Sequence, residues 1–103
     1  MSKISIIAKL TAAEGKASEL EASLARLITA AEEESGLEIY SAHKDPKNEG
    51  VYYFFEMYSD RQALEVHGKG GQMKEAMKAM GSLLGGRPEV SYLEPVVAKG
   101  LTF

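Results

Sequence analysis

The stretch Val51-Tyr52-Tyr53-Phe54-Phe55-Glu56-Met57-Tyr58-Ser59-Asp60-Arg61-Gln62-Ala63-Leu64-Glu65-Val66-His67 decides the fold. Its first eight residues are mostly aromatic, the composition of a strand. Side chains alternate across a strand, so Tyr53, Phe55 and Met57 share one face, and Tyr52, Phe54, Glu56 and Tyr58 share the other. Neither face is polar enough to meet water alone. Ser59-Asp60-Arg61-Gln62 has the spacing of a Ser capping box with Gln at the third helical position. A helix carrying Ala63, Leu64 and His67 is expected to start there. The stretch thus places a carboxylate inside an aromatic strand and an imidazole on the next helix, both costly to bury without a partner.

Working outward, Asp45-Pro46-Lys47-Asn48-Glu49-Gly50 is dense in turn formers, and Leu37 to Lys44 alternates as a strand, which predicts an antiparallel hairpin. Ile4 to Leu10 reads as a first strand, with Ile4, Ile6, Ala8 and Leu10 on one face. Thr11-Ala12-Ala13-Glu14 has capping-box spacing, but Gly15 follows it, so the first helix is expected from there or from near Lys16. Ala17, Leu20, Leu24, Leu27, Ile28 and Ala31 form its apolar stripe to about Glu34, and Gly36 stops it. Glu32, Glu33 and Glu34 read as a solvated face. The second helix is interrupted at Gly68, Gly70 and Gly71, resumes through Met73, Met77, Met80 and Leu84, and ends at Gly85-Gly86-Arg87-Pro88. Val90 to Val97 is the expected fourth strand. The order strand, helix, strand, strand, helix, strand is the ferredoxin-like α+β arrangement, βαββαβ: a four-stranded antiparallel sheet with two helices on one face. The bare face then needs a partner sheet, and a homodimer packed sheet to sheet is the simplest solution.

The 103 residues, 1–103, are expected to form a single domain. With 45% hydrophobic residues the chain belongs to the globular class, and a net charge of −3 without a basic stripe argues against nucleic acid. The absence of cysteine excludes thiolate chemistry, disulfides and Cys-ligated metals, and two histidines are too few for an all-His site. No metal is expected. A signal pattern and a membrane-length apolar run are also missing, so a cytoplasmic protein without membrane attachment is expected.

Glu34-Ser35-Gly36-Leu37, Tyr40, Phe55-Glu56-Met57-Tyr58, Asp60, Ala63-Leu64 and His67, in this order, make the chain resemble the antibiotic biosynthesis monooxygenase-like proteins. The resemblance runs from Ile4 to about Val97. That family consists of small dimeric α/β barrels and includes quinol monooxygenases, oxygenases of polyketide anthrones and a signal-molecule isomerase. The resemblance implies a homodimer, no cofactor, and a small aromatic or hydroxycarbonyl substrate. Two departures stand out. Tyr58 occupies a place where many members carry Trp, and Gly70-Gly71-Gln72-Met73 replaces a turn with a second histidine. The places of a haem-degrading constellation hold Ala8, Tyr58 and Met77, so haem is disfavoured.

Two residues are candidates for catalysis. Glu56 is either a hydrogen-bond anchor of the fold or a base with a raised pKa. His67 is either a helix-packing residue or the group that deprotonates a phenol or quinol. Tyr58, Tyr40, Phe54, Met73 and Met77 are the candidate substrate contacts, although core packing alone also explains such residues. His43 is expected on the surface. The function expected is a cofactor-independent monooxygenase of a quinol- or naphthol-type ring. Isomerisation of a hydroxycarbonyl compound and non-catalytic ligand binding are the alternatives.

Overall fold

The structure, a computed structural model, describes residues 3–103. Strands β1 (Ile4–Thr11), β2 (Leu37–Lys44), β3 (Val51–Tyr58) and β4 (Glu89–Leu93) form one open sheet in the order β2-β3-β1-β4. Every neighbouring pair is antiparallel. Helices α1 (Ala17–Ala30), α2 (Arg61–Val66) and α3 (Gly71–Gly81) complete the ferredoxin-like α+β fold. The second helix of the sequence reading is therefore two short helices, broken where Gly68 takes a positive φ of 82°.

Register explains which face of the sheet the helices cover. Ala8 pairs with Phe54, Ile6 with Glu56, and Tyr40 with Glu56, which puts these side chains on one face. Leu20, Leu24 and Leu27 of α1, with Met73, Ala76 and Met80 of α3, close that face in a single buried cluster. Each of the leucine and methionine side chains contributes roughly 1.5–3 kcal/mol through burial. On the opposite face Tyr53 and Phe55 are half-buried and Ile7 is exposed. Met57 lies on that face by register, yet it is fully buried and stands outside the main cluster.

Several boundaries differ from the sequence reading. Asp60, not Ser59, caps α2, because its carboxylate accepts the Ala63 N–H at 2.8 Å. Thr11 ends β1 rather than capping α1, and Lys16 precedes α1 without a side-chain cap. The first helix stops at Ala30 and tightens into a 3₁₀ turn over Ala31–Glu33. β4 stops at Leu93, short of Val97. Pro95 has no N–H to continue a ladder, and Val96 and Val97 are left 82% and 86% exposed. His43 is exposed, and its ring Nε2 lies 2.9 Å from the Ser41 hydroxyl.

One close approach sets where α2 sits. The Ser59 N–H donates to the Gly36 carbonyl at 2.8 Å, and a Cβ on Gly36 would collide with the Ala63 methyl. Glycine is thus required before β2 for α2 to dock. We expect Gly36→Ala to destabilise the chain by about 1–3 kcal/mol through overpacking. In the Gly36→Ala/Ala63→Gly double variant the two costs should be less than additive. Urea unfolding measures both, and strict additivity would show that the contact does not limit docking.

Candidate active site

Between the sheet and the α2–α3 layer lies a cavity of about 380 Å³. Ile6, Ala8 and Leu10 of β1 form an apolar floor, with Phe54 beside them. Tyr40, Glu56 and His67 supply polar atoms on one side, and Met77 and Met80 of α3 help to cover the other. Larger clefts lie on the surface, but none of them contains the imidazole or the buried Glu56 carboxylate.

The local sequence explains how His67 arrives there. Asp60 starts α2, and after barely two turns His67 takes an extended conformation at its C-terminal end. Its backbone N–H bonds to the Leu64 carbonyl at 3.1 Å. Its Nδ1 lies 2.7 Å from Oε1 of Glu34, and the other oxygen of Glu34 accepts the Gly68 N–H at 3.3 Å. Glu34 is buried, whereas Glu32 and Glu33 are exposed, so the solvated-face reading of the acidic run fails at its last member. Its position continues the stripe Leu20, Leu24, Leu27, Ala30, and that spacing is the signal that marks it as inward-facing.

The Glu34 contact has a chemical consequence. An ionised carboxylate only accepts hydrogen bonds, so it selects the tautomer with the proton on Nδ1. Nε2 is then the free base of a ring that lines the cavity. The ring is also held edge-on by two phenols, with centroids 5.6 Å from Tyr40 and 5.5 Å from Tyr58.

Glu56 forms a second polar unit. The Tyr58 hydroxyl donates to its Oε1 at 2.5 Å. Burial pushes the Glu56 carboxyl above its ordinary value, which the Tyr58 bond and the His67 charge only partly oppose. Burial likewise raises the Tyr58 and Tyr40 phenols, reinforced by the Glu56 charge, so both remain protonated donors.

Of the residues named from sequence, Tyr40, Phe54, Glu56, His67 and Met77 line the cavity together. Tyr58 and Met73 do not. Both are fully buried, Tyr58 behind Glu56 and Met73 within the helix–sheet core, so neither presents surface to a ligand. Glu34 is the site residue that sequence reasoning missed. Among the described residues no group of three His, Asp or Glu side chains is placed to hold a metal, and no helix is long and apolar enough to cross a membrane.

An open four-stranded α+β sheet with a carboxylate–imidazole pair beside an apolar cavity defines the class. The antibiotic biosynthesis monooxygenase profile matches residues 3–79, and the chain belongs to that family. A Caulobacter crescentus protein carrying the same family name is 32% identical, over 93% of this chain and 92% of that one, with a TM-score of 0.84. Proteins of Pseudomonas aeruginosa and Mycobacterium tuberculosis are each 27% identical with TM-scores of 0.83; the alignments cover 94% of this chain and 97% and 98% of theirs. No curated protein matches the chain.

The raised Glu56 carboxyl makes stability depend on pH. Its folded form holds the proton more tightly than the unfolded chain, so its contribution is fully present below the unfolded value, about 4.3. That contribution is lost as pH rises through the higher folded value. Glu56→Gln should therefore flatten the fall in stability above about pH 4.3, as read by urea midpoints across pH. Tyr58→Phe should push the Glu56 titration higher still, because it removes the bond that favours the carboxylate. Carboxyl NMR showing an unshifted Glu56 in both proteins would contradict the burial argument.

Proposed function

We propose that the chain is a cofactor-independent monooxygenase of a quinol- or naphthol-type aromatic, working as a homodimer. The observation that carries this reading is the His67 imidazole. Glu34 holds it with Nδ1 occupied, and its ring lines an apolar cavity beside Glu56. Membership of the family supports the reaction class. A ring bound against Phe54 and Tyr40 brings its hydroxyl to Nε2 of His67. The base takes the phenolic proton, and Glu34 stabilises the imidazolium that forms. The resulting electron-rich ring passes an electron to dioxygen, the co-substrate, and the two radicals combine at a ring carbon as a peroxide. Proton return from His67 gives a hydroperoxide. Loss of water, with the hydrogen of that carbon, leaves a carbonyl. One oxygen atom thus ends in the product and the other in water. In its protonated form, which burial favours, Glu56 donates to a substrate oxygen.

Oxygen uptake with a panel of hydroquinones and naphthols tests this reading. His67→Ala should slow turnover by roughly 10²–10⁴-fold while leaving the fold intact, and His67→Gln should remain nearly as slow. Full activity in both variants would move the proton transfer elsewhere. Turnover of a hydroxycarbonyl compound without oxygen uptake would favour isomerisation by the same acid–base pair.

The homodimer rests on the outer sheet face, where Tyr53 and Phe55 stand beside exposed Ile7 and Leu93 with no helix over them. Contiguous apolar surface of this kind marks an interface. Phe55→Lys should release monomers in light scattering at micromolar concentration. A monodisperse wild-type monomer under the same conditions would sink the assembly reading.

A further inference from the structure

We infer that the cavity admits uncharged aromatic alcohols and turns away the same rings when they carry a carboxylate, sulfonate or phosphate. This selectivity rests on the cavity being the substrate site. The ionisable groups of its lining are Glu56, His67 and the phenols Tyr40 and Tyr92, and no Lys or Arg lines it among the described residues. The one group able to become a cation there, His67, already faces Glu34 at 2.7 Å. With Glu34 ionised, the three groups Glu34, Glu56 and His67 sum to a charge that is never positive. The neighbouring cleft, which shares Leu64 and Tyr92 with the cavity, is lined by one cation, Arg61, and two carboxylates, Asp60 and Glu94.

An anion entering this space would leave water for a floor of Ile6, Ala8 and Leu10 without a partner. A neutral phenol meets no such penalty. When it ionises inside, the proton it loses stays on His67, so the negative ring and the imidazolium arise as a pair. A phenol already ionised in solution brings the charge without the proton. The site therefore selects substrates that arrive protonated, and the deprotonation belongs to the enzyme rather than to the solvent.

Binding rather than turnover tests the claim, so the ligand preference is separable from the reaction. The chain lacks tryptophan, and naphthol fluorescence reports occupancy without interference from it. The probes are 2-naphthol, its 6-sulfonate, and the uncharged 6-methylsulfone of nearly the sulfonate's size. At neutral pH the sulfonate should bind at least about 100-fold more weakly than the sulfone, the cost of an unpaired buried charge. Leu84→Lys, which places a cation in the lining, should narrow that gap by about tenfold or more. Equal affinity of sulfone and sulfonate would overturn the inference while leaving the cavity as the site. An unchanged gap in folded Leu84→Lys would overturn the charge argument. Failure of all three probes to bind would remove the aromatic site itself, and this inference with it.

Discussion

The contact between Glu34 and His67 ties together the two places where the helical layer breaks. Glu34 follows the 3₁₀ turn that ends the first helix, and His67 ends α2. One carboxylate oxygen takes the imidazole, and the other takes the Gly68 N–H. Glu34 alone would be a costly buried carboxylate, and His67 is itself partly buried. Together they satisfy each other, and much of the neighbouring irregularity follows from the need to bring them close. Gly36 has no side chain because α2 must sit against it. Gly68 turns with positive φ immediately after the histidine. A buried pair of this kind adds little net stability over an apolar substitute. What it supplies is a fixed orientation for the ring.

β3 divides the molecule into two problems. Its inner side chains divide between core and cavity: Tyr52 and Tyr58 at the two ends are closed in, while Phe54 and Glu56 between them reach the cavity wall. Its outer side chains, Tyr53 and Phe55, are left only half-buried by the single chain. A strand with a polar outer face would suffice for a monomer with the same cavity. The aromatic outer face is left without a helix over it in the single chain, and the inner face builds the cavity. A one-residue slip in register would exchange the two, which explains why both faces must be strongly patterned.

This patterning made the fold legible. Period-two alternation in β3, the hairpin turn before it and the leucine stripe of α1 are local signals, and each survives in the structure. The glycine break in the second helix was legible for the same reason, since positive φ is a local property. The end of β4 was less so, because an apolar run through Val96 and Val97 outweighed the missing donor at Pro95. Long-range partners were hidden. Glu34 and His67 lie 33 residues apart, and an acidic triplet looks solvated until one of its members is seen to continue the buried stripe. Whether a buried side chain lines a cavity or fills the core behind it also escapes sequence. Phe54 and Tyr58 share a face, yet only Phe54 reaches the cavity.

The polar side of the cavity has a consistent sense of proton donation. Burial and neighbouring negative charge keep Tyr40 protonated, and burial favours the protonated form of Glu56, which Tyr58 holds from behind. His67 is turned the other way, because Glu34 occupies its Nδ1 and leaves Nε2 as an acceptor. The environments thus push neighbouring groups toward opposite roles, the arrangement from which acid and base assignments are read. On the proposed reading, one acceptor among donors suits a substrate that must lose one proton while its other oxygens are held. It also explains why Glu56 and His67 do not duplicate each other. A second free base beside the first would compete for the same proton, whereas a protonated carboxyl can hold a substrate oxygen as its charge changes.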